Sequence, residues 1–240
     1  MNELAGLFDV YKNIIVFDTE TSGLDFVNDR IIELAALKLV RNERGKLVCE
    51  KEVDEFIRLD RKLDSKIVEL TGITDEMLEK YGIEYKEAAK ILYDMICDGA
   101  TLLVAHNAQF DLMFARELLR GCKFEFKRDF LDTLTVYKDR RPYPHKLEQA
   151  IIEYNLSGKD QNSHRAIDDV KALVEVLIAM DMERPDLLMY INLFGFNKKY
   201  GISGCKIKGV RYVPQEFHNR KTLVEETLYS FLKACPFAEV

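Results

Sequence analysis

The spacing of apolar residues along the chain changes between a strand period and a helix period, and the changes predict a sequence of elements. Residues 14–17 and 101–105 are short runs that are apolar on both faces, which is typical of buried central strands. Residues 31–40 and 47–59 predict two further strands joined by a polar turn that contains glycine. The first three strands therefore predict an antiparallel meander.

Helical spacing follows these strands. It begins near Ser65, is amphipathic over residues 87–97, returns over 109–120 and covers most of the chain between Leu131 and Met189. Three strands followed by alternating helices and strands predict an α/β fold, in which a mixed sheet with antiparallel and parallel strands is flanked by helices.

The last quarter of the chain differs in pattern from the rest. Residues 201–214 predict a basic extended or hairpin insert, and residues 221–235 predict a closing helix. A chain of 240 residues accommodates one core of about 150–200 residues and an extension. We therefore expect a core domain over residues 1–184 and a small basic extension over 185–240 that packs on it.

Composition narrows the class of protein. Hydrophobic residues make up 48% of the chain and charged residues 32%, which excludes disordered and fibrous classes. No apolar run approaches the roughly 18 residues of a membrane span, and the N-terminus lacks the basic region of a signal peptide. The five cysteines are odd in number and form no CxxC pair, which favours a reducing cytoplasm and argues against a thiolate zinc site.

Charge is distributed unevenly. The formal net charge is −6, yet residues 197–221 hold seven bases and one acid, so this segment carries +6 and the remainder −12. Aromatic residues are interleaved with these bases, a composition that suits tracking of nucleic-acid phosphates and stacking of bases. A solvated basic face that covers a sheet edge is an equal alternative.

Two acids lie at the end of the first strand. Side chains alternate along a strand, so Asp18 and Glu20 share one face with Ile14 and Val16. They emerge at the carboxyl end of a buried strand, where open α/β sheets bind ligands. The alternative is a solvated strand end with ordinary surface acids.

A third acid occupies an apolar helix stripe. Asp111, Phe114, Ala115 and Leu118 follow the i, i+3, i+4, i+7 spacing, which directs Asp111 inward. A buried carboxylate requires a hydrogen bond, an ion pair or a metal. The alternative is a cap on exposed N–H groups at the start of the helix.

A fourth acid is selected by helix geometry in residues 166–177. Asp169 lies on the inner flank of the apolar stripe, whereas Asp168 points to the opposite side. His164 precedes this helix in a polar loop from which it could approach a site, although a lone histidine is more often structural.

The four inward acids together predict a metal site. Unit charges 4 Å apart repel by about 4 kcal/mol at an effective dielectric near 20, so such a cluster needs cations. Oxygen ligands without cysteine suit Mg²⁺ or Mn²⁺. Two such ions can activate a water and stabilise the leaving oxygen of a phosphodiester, and a histidine with a pKa near 6.5 can act as the base for that water.

Three motifs make the sequence resemble the DEDDh 3′–5′ exonuclease family, which includes the epsilon proofreading subunit of bacterial DNA polymerase III and RNase T. The motifs are VFDTETSGL at residues 16–24, VAHNAQFD at 104–111 and HRAIDD at 164–169. Supporting matches occur at residues 29–33, 70–74 and 132–133. The resemblance covers about residues 12–182 in the expected order.

The resemblance implies a ribonuclease-H-like fold and a role for each motif residue. Two divalent ions would be held by Asp18, Glu20, Asp111 and Asp169, and His164 would deprotonate the attacking water. The pocket for the terminal nucleotide would be lined by Thr19, Thr21, Leu24, His106, Asn107 and Phe110. Asp132 matches a recurring family position and is expected to play a supporting role.

The function that follows is metal-dependent removal of nucleoside 5′-monophosphates from the 3′ end of single-stranded nucleic acid. DNA is favoured as the substrate, and a DNA polymerase is a candidate partner. One alternative is an RNA trimmer similar to RNase T or oligoribonuclease, because no motif reads the 2′-hydroxyl. Another is a non-catalytic binding or scaffolding module, which the five filled key positions disfavour.

Overall fold

The computed structural model describes residues 3–124, 127–156, 165–202 and 204–215. The strands within these ranges are β1 Asn13–Thr21, β2 Ile31–Arg41, β3 Leu47–Phe56, β4 Thr101–Ala105, β5 Asp129–Asp132, β6 Leu193–Phe196 and β7 Arg211–Pro214. The α-helices are α1 Ala5–Phe8, α2 Ser65–Thr71, α3 Asp75–Tyr81, α4 Tyr85–Ile96, α5 Ala108–Gly121, α6 Thr133–Arg140, α7 Leu147–Glu153 and α8 Ala166–Glu183. A 3₁₀ turn spans Leu187–Tyr190.

Five strands form one mixed sheet in the order β3-β2-β1-β4-β5. β1, β2 and β3 pair antiparallel as a meander, while β1, β4 and β5 pair in parallel. The mixed α/β architecture predicted from the sequence is therefore confirmed. β1 and β4 lie in the interior of the sheet, which explains why both contain runs that are apolar on both faces.

β1 continues beyond the apolar run that predicted it. The run ends at Phe17, but pairing with β2 extends to Thr21, with a register shift between Glu20 and Thr21. Two acids break the hydrophobic pattern in this extension, so periodicity alone places the end of the strand too early.

Helices cover both faces of the sheet. On one face, α8 packs Leu173 and Leu177 against Ile14 and Val16 of β1. On the other face, α4 and α5 form a second apolar layer with the alternate residues of β1 and β4. The two layers hold the central strands rigidly, so that their carboxyl ends present side chains at fixed positions. None of the helices in the described ranges combines the length and apolar character needed to cross a membrane.

The described part of the C-terminal extension packs on this core. Leu187, Tyr190 and Leu193 belong to the same apolar layer as α8, and the ring of Phe194 stacks on Phe130 at 4.4 Å between centroids. The domain boundary at residue 184 remains a prediction.

Of the extended or hairpin insert predicted for residues 201–214, the hairpin is corrected by the strand pairing. β7 pairs with β6 in parallel, and parallel neighbours require a crossover rather than a tight turn. Residues 197–210 form that crossover, of which all but residue 203 are described. The helix expected at residues 221–235 lies outside the described ranges.

Candidate active site

The predicted acids come from three elements that meet at one edge of the sheet. Asp18 and Glu20 lie near the carboxyl end of β1, and Asp111 lies in the first turn of α5, directly after β4. Asp169 lies in the first turn of α8. Because β1 and β4 are adjacent and parallel, their carboxyl ends open at the same edge.

Asp111 is tied to β1 by two hydrogen bonds. Its Oδ1 atom accepts the backbone N–H of Thr19 at 3.0 Å and the Thr19 hydroxyl at 2.8 Å. Asp111 is only 3% exposed, as its position in the apolar stripe of α5 predicts. These bonds fix the N-terminus of α5 beside the end of β1.

The acids lie close enough to perturb one another. Burial raises the pKa of Asp18 well above its usual value, and the charges of Asp111, Glu20, Asp169 and Glu33 raise it further. Burial, followed by the charges of Glu33, Asp169 and Asp111, raises the pKa of Glu20 to about 7. Burial also raises the pKa of Asp111 to about 7, against the opposing effect of its bonds to Thr19.

α8 separates its two adjacent aspartates as its periodicity predicts. Asp169 is half-buried, whereas Asp168 is exposed. Asp169 also contributes to the raised pKa values of Asp18 and Glu20, which places its charge within range of the site. His164 lies outside the described residues.

Glu33 is part of this acidic cluster although it was not singled out from the sequence as a site residue. It is fully buried on β2, opposite Glu20 of β1. Its Oε1 atom accepts from Arg165 Nε at 2.7 Å and its Oε2 atom from the backbone N–H of Ala166 at 3.4 Å. The signal was present, because Glu33 is an acid within the apolar run at the start of β2.

Asp132 organises the turn between β4 and α5. Its Oδ1 atom accepts the backbone N–H groups of Asn107 at 3.0 Å and Ala108 at 3.1 Å. Its carboxylate also caps the N-terminus of α6 through the N–H groups of Leu134 and Thr135. Asp132 therefore supports the segment that carries Asp111, in keeping with the supporting role expected for it.

The residues predicted to contact the nucleotide differ in their exposure and in their contacts within the protein. The Thr21 hydroxyl donates to the Gly23 carbonyl at 2.7 Å, while Leu24 is 84% exposed. Phe110 is half-buried with its ring 4.9 Å from that of Phe114. Their contacts with a nucleotide, like those of Thr19, remain predictions.

His106 and Asn107 occupy the β4–α5 turn. Both ring nitrogens of His106 are engaged, Nδ1 at 3.1 Å from Thr133 Oγ1 and Nε2 at 2.9 Å from the His145 carbonyl oxygen. Asn107 is exposed and has a φ of 73°, a left-handed conformation that asparagine tolerates better than most residues. His106 thus has a structural role within the fold in addition to its predicted contact with the nucleotide.

The chemistry of the donors fits divalent cations. The four acids supply only oxygen, and the charges of their neighbours raise the pKa values of Asp18 and Glu20, a repulsion that cations would relieve. Arg165, the base beside them, is already paired with Glu33 and Asp54. Within the described ranges, no three acidic, histidine or cysteine side chains are already arranged to hold a metal ion.

A comparison with protein families identifies the chain. The profile of the RNase_T family, described as an exonuclease, matches residues 15–177 and spans all three motifs. The chain belongs to the DEDDh 3′–5′ exonuclease family. The exonuclease class predicted from the motifs is thereby confirmed.

Relatives of this DEDDh domain include much longer proteins. The PolC-type DNA polymerase III of Bacillus subtilis (strain 168) is 36% identical over 182 residues, which cover 70% of this chain and 11% of the polymerase. The PolC-type enzyme of Clostridium perfringens is 32% identical over 163 residues, or 68% of this chain and 11% of that protein. The chain thus spans about a tenth of the length of these relatives.

Solved structures share the fold of the DEDDh domain. The zinc-bound form of an Escherichia coli Exonuclease I complex with single-stranded DNA matches with a TM-score of 0.63 at 19% identity, covering 75% of this chain and 42% of that one. Exonuclease I from Methylocaldum szegediense matches with a TM-score of 0.62 at 20% identity, covering 73% and 41% of the two chains. The predicted ribonuclease-H-like fold is confirmed by these likenesses.

Proposed function

We propose that this protein is a metal-dependent 3′–5′ exonuclease that removes nucleoside 5′-monophosphates from the end of single-stranded DNA. The proposal rests above all on one observation. Acids from three motifs that are distant in sequence surround Asp18 at a single sheet edge and raise its pKa together. A protein that only needed to fold would not bury several mutually repelling carboxylates.

The acids would hold Mg²⁺ or Mn²⁺ ions, which supply an activated water and stabilise the leaving oxygen when bound. Asp18, Glu20, Asp111 and Asp169 would serve as the ligands. Thr19 holds Oδ1 of Asp111 through two hydrogen bonds, which orients the carboxylate before any ion arrives. His164, immediately before Arg165, would accept the proton of the attacking water.

The residues around the acids would position the terminal nucleotide. Leu24 and Phe110 offer apolar surface to a base, and Asn107 offers a polar group at the start of α5. Aromatic and apolar side chains hold single-stranded bases by stacking, without regard to sequence. We place the reaction in the cytoplasm, in line with the free thiols of the four described cysteines.

The first experiment follows a 5′-labelled single-stranded oligodeoxynucleotide in Mn²⁺, with EDTA as one control. We expect a ladder that shortens from the 3′ end and is lost in EDTA and in Asp169→Ala. The matched variant is Asp168→Ala, because this exposed neighbour on the same helical turn should retain activity. Equal loss in both variants would contradict the assignment of Asp169.

An RNA copy of the same oligonucleotide tests the alternative substrate. Shortening of RNA alone would replace the DNA proposal with an RNA-trimming function. Shortening of neither strand under any metal condition would favour a non-catalytic binding module.

A polymerase partner is a second part of the proposal. It is supported by the relation to PolC-type polymerases, in which the matching segment is about a tenth of the protein. Co-purification of the chain with a replicative polymerase, and faster excision of mismatched than matched primer ends in that complex, would support proofreading. Equal excision of the two ends would instead favour a free-standing trimming or repair nuclease.

A further inference from the structure

The crossover and strand at residues 197–215, here called the basic crossover, carry an unbalanced charge. This stretch contains no acid and five bases, which are Lys198, Lys199, Lys206, Lys208 and Arg211. The protein as a whole is acidic, with a formal net charge of −6. The basic crossover is therefore a local positive strip on a negative molecule.

The structure places one part of this strip at the rim of the active site. A Cβ atom added to Gly204 would lie 3.4 Å from Cε1 of Phe26 and 3.9 Å from Nε2 of Gln109. Phe26 is two residues from the exposed Leu24, and Gln109 is two residues from Asp111. The basic crossover thus lies next to both segments that border the predicted nucleotide pocket.

From this rim the basic crossover continues along the same side of the sheet as α5. Ile207, Val210 and Tyr212 pack against the apolar layer to which α5 contributes, and Lys206 Nζ lies 5.8 Å from the centroid of the Tyr212 ring. The backbone is thereby anchored while the lysine heads stay at the surface.

The strip ends at a cavity beside the amino ends of the central strands, opposite the carboxyl ends that carry the acids. This cavity of about 440 Å³ lies beside Thr101, at the start of β4, and includes Lys127, Arg128 and Lys208 in its lining. The five residues of β4 span roughly 13 Å at about 3.3 Å per residue. Basic groups therefore extend from the carboxyl ends of the central strands to their amino ends.

Several of these cations are available to a ligand. Lys199, Lys206 and Lys208 are exposed, and none of them forms an ion pair with another described residue. Tyr200 is 75% exposed, with Lys199 Nζ 5.3 Å from its ring centroid. An exposed aromatic ring among exposed lysines matches the surfaces that bind single strands through phosphate contacts and base stacking.

We propose that the basic crossover is one wall of the substrate channel and holds the nucleotides that lie 5′ of the terminal one. Lys199, Lys206 and Lys208 contact successive phosphates, and Tyr200 stacks on a base. The inference rests on the proposed exonuclease function and adds the surface that binds the body of the strand. The charge complementarity and the position of Gly204 beside Phe26 and Gln109 commit the surface to nucleic acid.

The test compares two triple variants of the full chain. K199E/K206E/K208E reverses charge on the basic crossover. R44E/K46E/K51E makes the same change in charge at exposed residues of the β2–β3 hairpin, which lies at the opposite end of β1 from the acids. Each protein is assayed on the 4-nitrophenyl ester of thymidine 5′-monophosphate and on a series of single-stranded oligodeoxynucleotides of increasing length.

We expect the unmodified protein and both triple variants to hydrolyse the ester equally, because the ester reaches only the terminal pocket. On long oligonucleotides, K199E/K206E/K208E should raise KM about tenfold or more and reduce the slope of log KM against log salt by about 2, at about 0.7 for each lost single-strand phosphate contact. Tyr200→Ala should reduce the gain in affinity with length.

The outcomes separate the two levels of the proposal. Absence of ester and oligonucleotide hydrolysis in the unmodified protein would overturn the proposed exonuclease function on DNA itself. Normal ester hydrolysis with an unchanged KM and salt slope in K199E/K206E/K208E would overturn only the channel, as would an equal rise in KM in R44E/K46E/K51E.

Discussion

Glu20 and Asp111 have pKa values near 7, far above the ordinary values of their side chains, because they are buried beside other acids. In the metal-free protein they hold protons at a pH where the unfolded chain has already lost them. These protons contribute stability that is fully present below about pH 4 and is lost as pH rises through 7. The arrangement of acids in the site therefore lowers the stability of the metal-free protein as pH rises.

We therefore predict that, with EDTA present, the melting temperature falls as pH rises from 5 to 8. Asp111→Asn removes one of the titrating charges and should flatten this dependence while abolishing nuclease activity. Calorimetry across the pH series measures the effect, with Asp168→Asn as the exposed control. A dependence as steep in Asp111→Asn as in the unmodified protein would contradict the raised pKa of this group.

Arg165 is the residue that allows Glu33 to be buried as an ion. Its Nε atom donates to Glu33, its guanidinium contacts Asp54, and the same group lies 4.7 Å from the centroid of the Phe56 ring. Because Arg165 directly precedes α8, these contacts anchor the end of the helix that carries Asp169.

Arg165→Met should lower the free energy of unfolding by about 3 kcal/mol, because it leaves Glu33 buried without its partner. Chemical denaturation measures this loss, and Glu33→Gln in the same chain should recover part of it. Arg58→Met breaks the exposed pair with Glu84 and should cost under about 1 kcal/mol. Equal losses in the two single variants would show that burial of Glu33 does not govern the effect.

At the scale of elements, the β4–α5 turn depends on one carboxylate. Asp132 ends β5, caps α6 and accepts the first N–H groups of α5, so three elements share a single side chain. A sequence pattern shows an aspartate before a helix, which is a common N-cap. It does not show that the same oxygen reaches a second helix that begins 24 residues earlier.

Asp132→Ala should destabilise the protein by about 2 kcal/mol or more, since a lost N-cap alone costs about 1 kcal/mol. Activity should fall further than stability explains, because α5 positions Asp111. Asp64→Ala is the matched control, since Asp64 caps α2 through the Lys66 N–H at 2.9 Å. The role of the turn would be refuted if both variants retained full kcat at a temperature where they are folded.

At the scale of the whole molecule, metal binding should be linked to folding. The acids belong to β1, α5 and α8, so a cation held among them would join elements from both faces of the sheet. Binding to the folded state alone stabilises it by about 2.7 kcal/mol when the metal concentration is 100 times Kd.

Titration with Mn²⁺ should therefore raise the melting temperature, with a larger rise at pH 8 than at pH 6, since protons compete for Glu20 and Asp111. Asp18→Ala combined with Asp169→Ala should remove the rise. Thermal melts at increasing metal concentration measure it. An equal rise in the double variant would locate the metal elsewhere in the protein.

The sequence alone was sufficient for features that depend on local periodicity. Alternation along a strand placed Asp18 and Glu20 on one face, and helix spacing distinguished Asp169 from Asp168. Such predictions succeed because the direction of a side chain follows from backbone geometry within a few residues. The motifs added the family, since their order and spacing are properties of the chain itself.

Contacts between distant segments required the tertiary structure. Only the pairing of β1 with β4 brings Asp111 to Thr19, and only the fold joins Glu33 to Arg165 across more than a hundred residues. Likewise, only the parallel pairing of β6 with β7 shows that residues 197–210 form a crossover, with Gly204 beside Phe26 and Gln109, rather than a hairpin. These arrangements are selected by burial of whole faces of the sheet, a free energy summed over many residues that no local pattern contains.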